Sequence, residues 1–185
     1  MFMFLWIILG LLVVAALTII ILYNQLVARR QMSENGWSDI AVQLKRRADL
    51  IPRLVDTVKG YVKHEKTLFT EIVNRRNLAL AAGDDPTKRG QAEAALTRPV
   101  SKIIALAESY PVLKANKNFL DLQNELSDTE NKIEMARRFY NGAVREFNIK
   151  IQTFPANLLA SSFGFKIRDY FEINESDREL PNVEG

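Results

Sequence analysis

The chain of 185 residues contains no cysteine and a single histidine, His64. Without cysteine it forms no disulfide and no Cys-based metal site. One imidazole also cannot supply the paired histidines of zinc-protease helices and di-metal helical bundles. His64 lies in His-Glu-Lys-Thr-Leu, and the position four residues on, where a zinc-protease helix has its second histidine, is Leu68. We therefore expect no metal site and no cofactor.

Sequence motifs for covalent catalysis and phosphate binding are missing as well. The eight glycines are scattered, so there is no Gly-rich phosphate loop, and there is no Gly-x-Ser-x-Gly. The short sequence Ser161-Ser162-Phe163-Gly164 has no histidine nearby. We expect no catalytic residues and no enzymatic activity. A lipid-active enzyme that uses His64 or Ser162 is the least favoured alternative.

Charge is missing from the beginning of the chain. No charged side chain precedes Arg29, and residues 1–23 also lack Asn and Gln. As a helix with a rise of about 1.5 Å per residue, this run is close to the ~30 Å thickness of a bilayer's hydrocarbon core. A cleaved signal peptide would need a basic start, a shorter apolar run and a small-x-small cleavage site, whereas Leu26-Val27-Ala28 begins with a bulky residue. We expect an uncleaved transmembrane anchor over residues 1–25.

The charges that follow this anchor predict its orientation. Arg29, Arg30 and the cluster Lys45-Arg46-Arg47 resist translocation, which predicts an amino terminus outside and a body in the cytoplasm. Residues 29–66 carry nine basic and five acidic side chains, and a basic segment beside an anionic leaflet is favourable. Because acidic residues are interspersed and no nucleic-acid motif is present, we expect lipid rather than nucleic acid as the partner. Tyr23, Arg29 and Arg30 are the candidates for the membrane interface.

Helical periodicity dominates the first part of the body. Apolar residues between Trp37 and Ala82 recur at steps of three, four or seven, which places them on one stripe of a helix. Pro52 predicts a kink or a restarted helix, and a break near Gly60 is the alternative. The polar, Gly- and Pro-bounded residues 83–90 predict a loop, with helix resuming at about Gln91.

The clearest helical pattern runs from about Asn118 to Thr153. Its apolar residues at a spacing of seven form a heptad-like seam, and they are Phe119, Leu126, Ile133, Tyr140 and Phe147. A short apolar piece, residues 158–171, and an acidic tail, residues 173–185, follow. No useful strand alternation is present. The fold class is therefore all-α, with a single N-terminal transmembrane helix and then an antiparallel bundle of about three to four long helices over residues 26–172.

Aromatic residues are concentrated near the end of the body. Phe163, Phe165, Tyr170 and Phe171 are more aromatic residues than a loop needs. They either cap the end of the bundle or meet a neighbouring protein or the bilayer interface. We treat them as a possible contact surface and leave both interpretations open.

Several motifs resemble those of the LemA family of small bacterial membrane proteins, in the same order and over essentially the whole chain. They are Tyr23-Asn24-Gln25-Leu26-Val27, Gln43 to Pro52 continuing into Leu54-Val55, Val58-Lys59-Gly60-Tyr61, His64-Glu65, Tyr140-Asn141, Asn148, Phe154-Pro155-Ala156-Asn157, Phe163-Gly164-Phe165 and Tyr170-Phe171. The resemblance implies an anchored helical bundle in the bacterial inner membrane. It implies no established enzymatic activity and provides no catalytic residues.

Two hypotheses of function remain. The first is a membrane-anchored, non-enzymatic scaffold that self-associates at the membrane surface, since Gly10, Ala15 and Ala16 let spans approach closely. The second is an adaptor or regulator that binds another membrane or signalling protein through a face of the bundle. The expected partners are the lipid bilayer, further copies of the chain and an unidentified protein.

Overall fold

The computed structural model describes residues 2–62 and 64–172, and every regular element in these ranges is a helix. The helices are α1 Phe2–Lys59, α2 Lys66–Ala81, α3 Pro86–Glu108, α4 Pro111–Lys114, α5 Lys117–Gln152 and α6 Ala156–Ser162. The expected all-α class with one long apolar helix at the amino terminus is confirmed. The expected acidic tail, residues 173–185, lies outside the described residues.

Helix α1 runs without interruption from the apolar segment into the body. It has 58 residues and a length of roughly 87 Å at the usual helical rise. Residues 2–21 are exposed along their whole length, and the first buried side chains are Leu22 and Leu26. The apolar part is long enough to cross a membrane, which fits a single-pass membrane protein. The span and the first helix of the body are thus one continuous helix.

Helix α5 packs antiparallel against α1. The Arg29 Nη1 atom lies 2.7 Å from Glu146 Oε2, and further along α1 the Arg47 Nε atom lies 2.8 Å from Glu130 Oε1. Residue numbers therefore rise along α1 as they fall along α5. The two helices approach closely at Gly36, where a Cβ atom would lie 3.1 Å from the Cα atom of Tyr140. The absence of a side chain at Gly36 permits this close contact.

The heptad-like seam of α5 is buried, as its spacing predicts. All five of its large apolar residues are at most 3% exposed. Helix α5 begins after Asn116, whose side chain accepts a hydrogen bond from the Phe119 N–H at 3.2 Å, and it ends just before Phe154-Pro155. These bounds lie within one residue of the predicted bounds, because a capping residue and a proline mark the two ends.

The body has two apolar cores at different levels. The distal core, far from the span, joins α1, α2, α3, α4 and α5 through buried residues such as Ile51, Ile72, Ile103 and Phe119. The proximal core, nearer the span, is built on α1 and α5 with Phe171 from the C-terminal segment. Five helices, one of them the four-residue α4, thus pack around the distal core, whereas two helices and an extended segment pack around the proximal core.

The helix is not restarted at Pro52. Pro52 has no N–H, so the carbonyl of Ala48, four residues earlier, loses its usual helical donor. The Nε atom of Arg76 on α2 donates a hydrogen bond to this carbonyl at 2.6 Å. The proline is therefore accommodated inside the bundle, and α1 ends instead at Lys59, at the alternative break near Gly60.

The predicted loop over residues 83–90 is too long. Helix α3 begins at Pro86, five residues before the predicted start at Gln91. Asp85 caps it by accepting a hydrogen bond from the Lys88 N–H at 3.0 Å, and Pro86 occupies the first turn, where its missing N–H costs nothing. Here the Asp-Pro pair starts a helix rather than extending a loop.

The contact between Arg76 and the Ala48 carbonyl gives a test of how α2 is held against α1. Replacing Arg76 with Met leaves this buried carbonyl without its donor, so we expect the free energy of unfolding to fall by about 1–3 kcal/mol. The Pro52→Ala substitution restores an N–H to the helix, so Arg76→Met should lower the free energy of unfolding by less in that background. Denaturant unfolding of the full chain in detergent, followed by circular dichroism, measures the parent chain, the two single variants and the double variant. Equal costs in both backgrounds would contradict this role of Arg76.

Candidate functional site at the membrane-proximal end

The C-terminal segment of residues 163–172, here called the strap, lies extended between α1 and α5. It leaves α6 through Gly164, whose φ of +73° is readily adopted only by glycine. Arg168 of the strap pairs with Asn148 of α5, and Phe171 pairs with Asn141. The strap therefore runs antiparallel to α5, away from the span.

Two asparagine side chains hold the strap's backbone. Asn148 accepts a hydrogen bond from the Arg168 N–H at 2.9 Å and donates one to the Arg168 carbonyl at 2.9 Å. Asn141 does the same for Phe171, at 2.9 Å and 3.1 Å. Each carboxamide thus supplies the donor and acceptor that a neighbouring β-strand would otherwise provide. The two asparagines are seven residues apart, which places them on one face of α5.

The far end of the strap is part of the proximal core. Phe171 is fully buried, and its ring centroid lies 5.6 Å from that of Trp37. The Tyr140 hydroxyl donates a hydrogen bond to the Asp169 carbonyl at 2.8 Å, and burial raises the pKa of this hydroxyl. Phe171 therefore does not belong to an exposed contact surface, because the bundle covers it. Tyr170, its neighbour, stays exposed.

The near end of the strap packs on the end of the span. The Tyr23 ring lies 5.0 Å from the Phe163 ring and 5.9 Å from the Phe165 ring, measured between centroids. Phe165 also contacts Phe147 of α5 and is half-buried, whereas Phe163 remains exposed. Of the four aromatic residues considered as either a cap on the bundle or a contact surface, Phe165 and Phe171 thus face inward and Phe163 and Tyr170 are exposed.

The two arginines expected at the membrane interface both pair with carboxylates of the body, Arg29 across to α5 and Arg30 within α1. Arg29 pairs with Glu146 of α5. Arg30 Nε donates to Glu34 Oε1 at 2.9 Å, and Arg168 Nη1 of the strap donates to the same oxygen at 3.0 Å. The hydrogen bond from Arg30, with a smaller one from Arg168, lowers the pKa of Glu34. All these groups are at least partly exposed, so each pair stabilises the fold only weakly.

A buried ionic layer separates the two cores. Arg47 is 2% exposed and Glu93 is 1% exposed, and Arg47 Nη1 donates to Glu93 Oε2 at 3.2 Å. Arg89 Nε donates to the other Glu93 oxygen at 3.0 Å, and Arg47 also donates to the Thr97 hydroxyl at 2.8 Å. The Arg47 contact with Glu130 is not aligned as a hydrogen bond, so its attraction is electrostatic. Burial raises the pKa of Glu93, and the two arginines oppose that effect.

This layer has the composition of a structural ion-pair network. Two guanidinium groups face two carboxylates, so its formal charge is balanced, and it ties α1, α3 and α5 together. Among residues 2–62 and 64–172, no group of three or more His, Asp or Glu side chains is placed to hold a metal ion. His64 is exposed between α1 and α2, and the Ser162 hydroxyl donates to the Leu158 carbonyl at 3.2 Å. His64 and Ser162 lie at opposite ends of the body.

At the level of sequence, Asn141 and Asn148 were only part of the family resemblance, and their role in holding the strap was not predicted. Asn141 and Asn148 share the spacing of seven of the apolar seam, and this polar pair within an apolar pattern is the signal that was available. Gly90 of α3 gave no such signal. The backbone carbonyl of Glu172 lies against it, and a Cβ atom at this position would collide with that oxygen. The strap thus spans from Tyr23 on α1 to Gly90 on α3.

Comparison with known proteins gives one family. The model of the LemA family matches residues 36–184. Magnetosome protein MamQ 2 of Paramagnetospirillum magneticum is 25% identical over 180 residues, which cover 84% of this chain and 66% of that protein. Protein LemA of Metamycoplasma hominis is 27% identical over 155 residues, which cover 84% of this chain and 71% of that protein. The chain thus spans just under two thirds of the length of the MamQ relative.

The contact at Gly90 provides a test of how the strap is seated. A methyl group there forces the strap away from α3, so we expect Gly90→Ala to lower the free energy of unfolding by about 1–3 kcal/mol. It should also speed amide hydrogen exchange in residues 163–172, which mass spectrometry measures. Gly142→Ala is the matched control, because nothing lies within 4 Å of a Cβ there and Ala favours helix by about 1 kcal/mol. Unchanged exchange in the strap of Gly90→Ala would show that this contact does not seat it.

Proposed function

The chain belongs to the LemA family, and from this membership and its architecture we propose that it is a membrane-anchored, non-enzymatic helical scaffold that self-associates at the membrane surface. The observation that carries the proposal is helix α1. Its residues 2–21 are not covered by any other described part of the chain, while its continuation forms the spine of the bundle. A single uncovered span offers its whole circumference to lipid and to other spans.

The composition of the span supports self-association. Helices in lipid associate through close packing rather than through the hydrophobic effect, and small residues allow their backbones to approach. Gly10, Ala15 and Ala16 supply such positions, and the structure has nothing within 4 Å of a Cβ at Gly10. Because α1 is continuous, two associated spans would also bring their bodies side by side. Association of the spans in the membrane would thus bring the bundles into contact as well.

The ionic layer supports a structural role for the interior. A buried carboxylate in a cleft is often a sign of catalysis. Here the buried Glu93 is held by Arg47 and Arg89, and Arg47 also contacts Glu130. The one described hydroxyl that contacts this network, that of Thr97, donates to the Glu93 backbone carbonyl at 3.1 Å and accepts from Arg47 at 2.8 Å. The charges of the network are used to join helices.

A second candidate function is that of an adaptor, and an exposed apolar pair on the body favours it. Met135 and Phe139 are four residues apart on α5, so they share one face, and both are about half exposed or more. Such a pair is suited to a partner helix. Affinity capture from a detergent extract separates the two functions, because one stoichiometric foreign partner favours the adaptor and copies of the chain alone favour the scaffold.

The scaffold proposal predicts discrete multimers after chemical cross-linking in native membranes. Gly10→Ile places a branched side chain where a second span would pack, so its multimer yield should be lower. Leu9→Ile, a volume-conserving change at the neighbouring position, should leave the yield unchanged. Monomer alone at every level of expression would contradict the proposal.

We also propose that the span lies in a bacterial inner membrane, with the body in the cytoplasm and the amino terminus outside. Arg29 and Arg30 follow directly on the span, and basic residues there resist translocation. A fluorescent reporter that matures only in the cytoplasm, fused after Gly185, should be bright, and a phosphatase that is active only outside should be inactive. An active phosphatase fusion would reverse this orientation.

A further inference from the structure

Exposed apolar side chains are concentrated where α5 ends and α6 begins. This region is here called the foot. Five of its residues are each more than half exposed, and they are Ile149, Phe154, Leu158, Phe163 and Ile167. Helix α6 buries its small residues Ala156 and Ala160 against the body. Its larger apolar residue Leu158 points outward. A surface of this kind requires a covering environment.

The register of α1 and α5 places the foot at the level where the span ends. Arg29 on α1 pairs with Glu146 on α5, and the helices are antiparallel. Six residues toward the membrane from each of these lie Tyr23 and Gln152, so α5 ends level with Tyr23. Phe154 and α6 then lie beside the last turn of the span. The ring contact of Tyr23 with Phe163 gives the same placement independently.

The hydroxyl groups of the foot are bonded within the protein. Thr153 Oγ1 donates to the Ile149 carbonyl at 2.7 Å, and the hydroxyls of Ser161 and Ser162 donate to the Leu158 carbonyl at 3.3 and 3.2 Å. Serine and threonine that bond back to helix carbonyls do not need water as a partner. The hydroxyls of the foot are therefore compatible with partial removal from water.

Basic side chains flank the foot. Arg145, Lys150 and Lys166 lie within four residues of its apolar members in sequence and make no ion pair with any described residue. Long basic side chains beside apolar residues can bury their stems and extend their charges to lipid headgroups. Each contributes to attraction by an anionic leaflet. The basic side chains and the exposed apolar side chains of the foot thus both favour a lipid interface.

We infer that the foot lies in the interfacial layer of a bilayer that contains anionic lipid, as a second membrane contact beside the span. This inference rests on the membrane anchoring of the proposed function but not on self-association. Lipid is the occupant because the anchoring of the proposed function surrounds the exposed residues 2–21 with it, and the foot continues that apolar surface at the same level. The span and the foot together orient the body on the membrane.

The absence of cysteine makes a direct test available, because one introduced cysteine is a unique labelling site. Leu158→Cys in the full chain is labelled with an environment-sensitive dye and reconstituted in vesicles of phosphatidylcholine and phosphatidylglycerol. Its emission should shift to the blue and be quenched by nitroxide-labelled lipids. Val112→Cys is the control, since Val112 is even more exposed but belongs to α4 at the distal end of the body. Asn116, which follows α4, donates to the Tyr61 hydroxyl just past the end of α1, roughly 54 Å along α1 from Tyr23. The Val112 label should be quenched by aqueous iodide instead.

The outcomes are distinct. A Leu158 label as open to water as the Val112 label would overturn the inference, and Phe154→Cys repeats the measurement if Leu158→Cys does not fold. Shielding that disappears as the protein is diluted in lipid would show that a second copy covers the foot, which also overturns it. If the Leu158 label is shielded from water as strongly in vesicles of pure phosphatidylcholine, anionic lipid does not contribute to the placement of the foot, which would overturn that part of the inference.

The same preparation separates this inference from the proposed function. Protein that does not float with the vesicles lacks the anchor, which would overturn both. Protein that gives no cross-linked multimers but keeps its Leu158 label shielded fails only as a self-associating scaffold. Shielding that is independent of dilution and stronger with anionic lipid supports the second membrane contact.

Discussion

The backbone N–H and C=O groups need hydrogen-bond partners wherever water is excluded, and much of this structure follows from that requirement. The apolar amino-terminal segment meets it by being one uninterrupted helix. At Pro52 the freed carbonyl of Ala48 obtains a guanidinium from another helix. The strap has no neighbouring strand, and the carboxamides of Asn141 and Asn148 take its place. An all-helical protein can in this way carry an extended segment against its core.

A layer of charged side chains inside the bundle separates two cores of different composition. The distal core joins five helices and is mainly aliphatic, with Phe69 and Phe119 as its aromatic members, whereas the proximal core contains aromatic residues from α1, α5 and the strap. Arg47, Glu93 and their partners lie between them. Burying such charges costs free energy that their pairing does not always recover, but it restricts the ways in which the helices can be aligned. We regard the layer as a device that sets the register of α1, α3 and α5.

The architecture was largely predictable from sequence, because its signals are local or periodic. The run without charge predicts the span, and the spacing of seven from Phe119 to Phe147 predicts α5 and its buried face. The response to Pro52 was not predictable, because it depends on Arg76, a residue 24 positions later that packing brings near. The position of the strap was not predictable for a similar reason. A periodic pattern cannot show that Asn148 meets Arg168 or that Gly90 meets Glu172, because these are tertiary contacts of an irregular segment.

The unbroken passage of α1 from lipid into the body has a mechanical meaning. The part of α1 beyond Tyr23 is 36 residues long, or roughly 54 Å, and it has no hinge at the bilayer surface. Spans tilt when the thickness of the bilayer changes, and because α1 is continuous the body would move with the span as one rigid unit. A change in tilt of about 10° would carry its distal end sideways by roughly 9 Å. In a bilayer, a change in lipid thickness that alters this tilt would therefore move the distal end of the bundle.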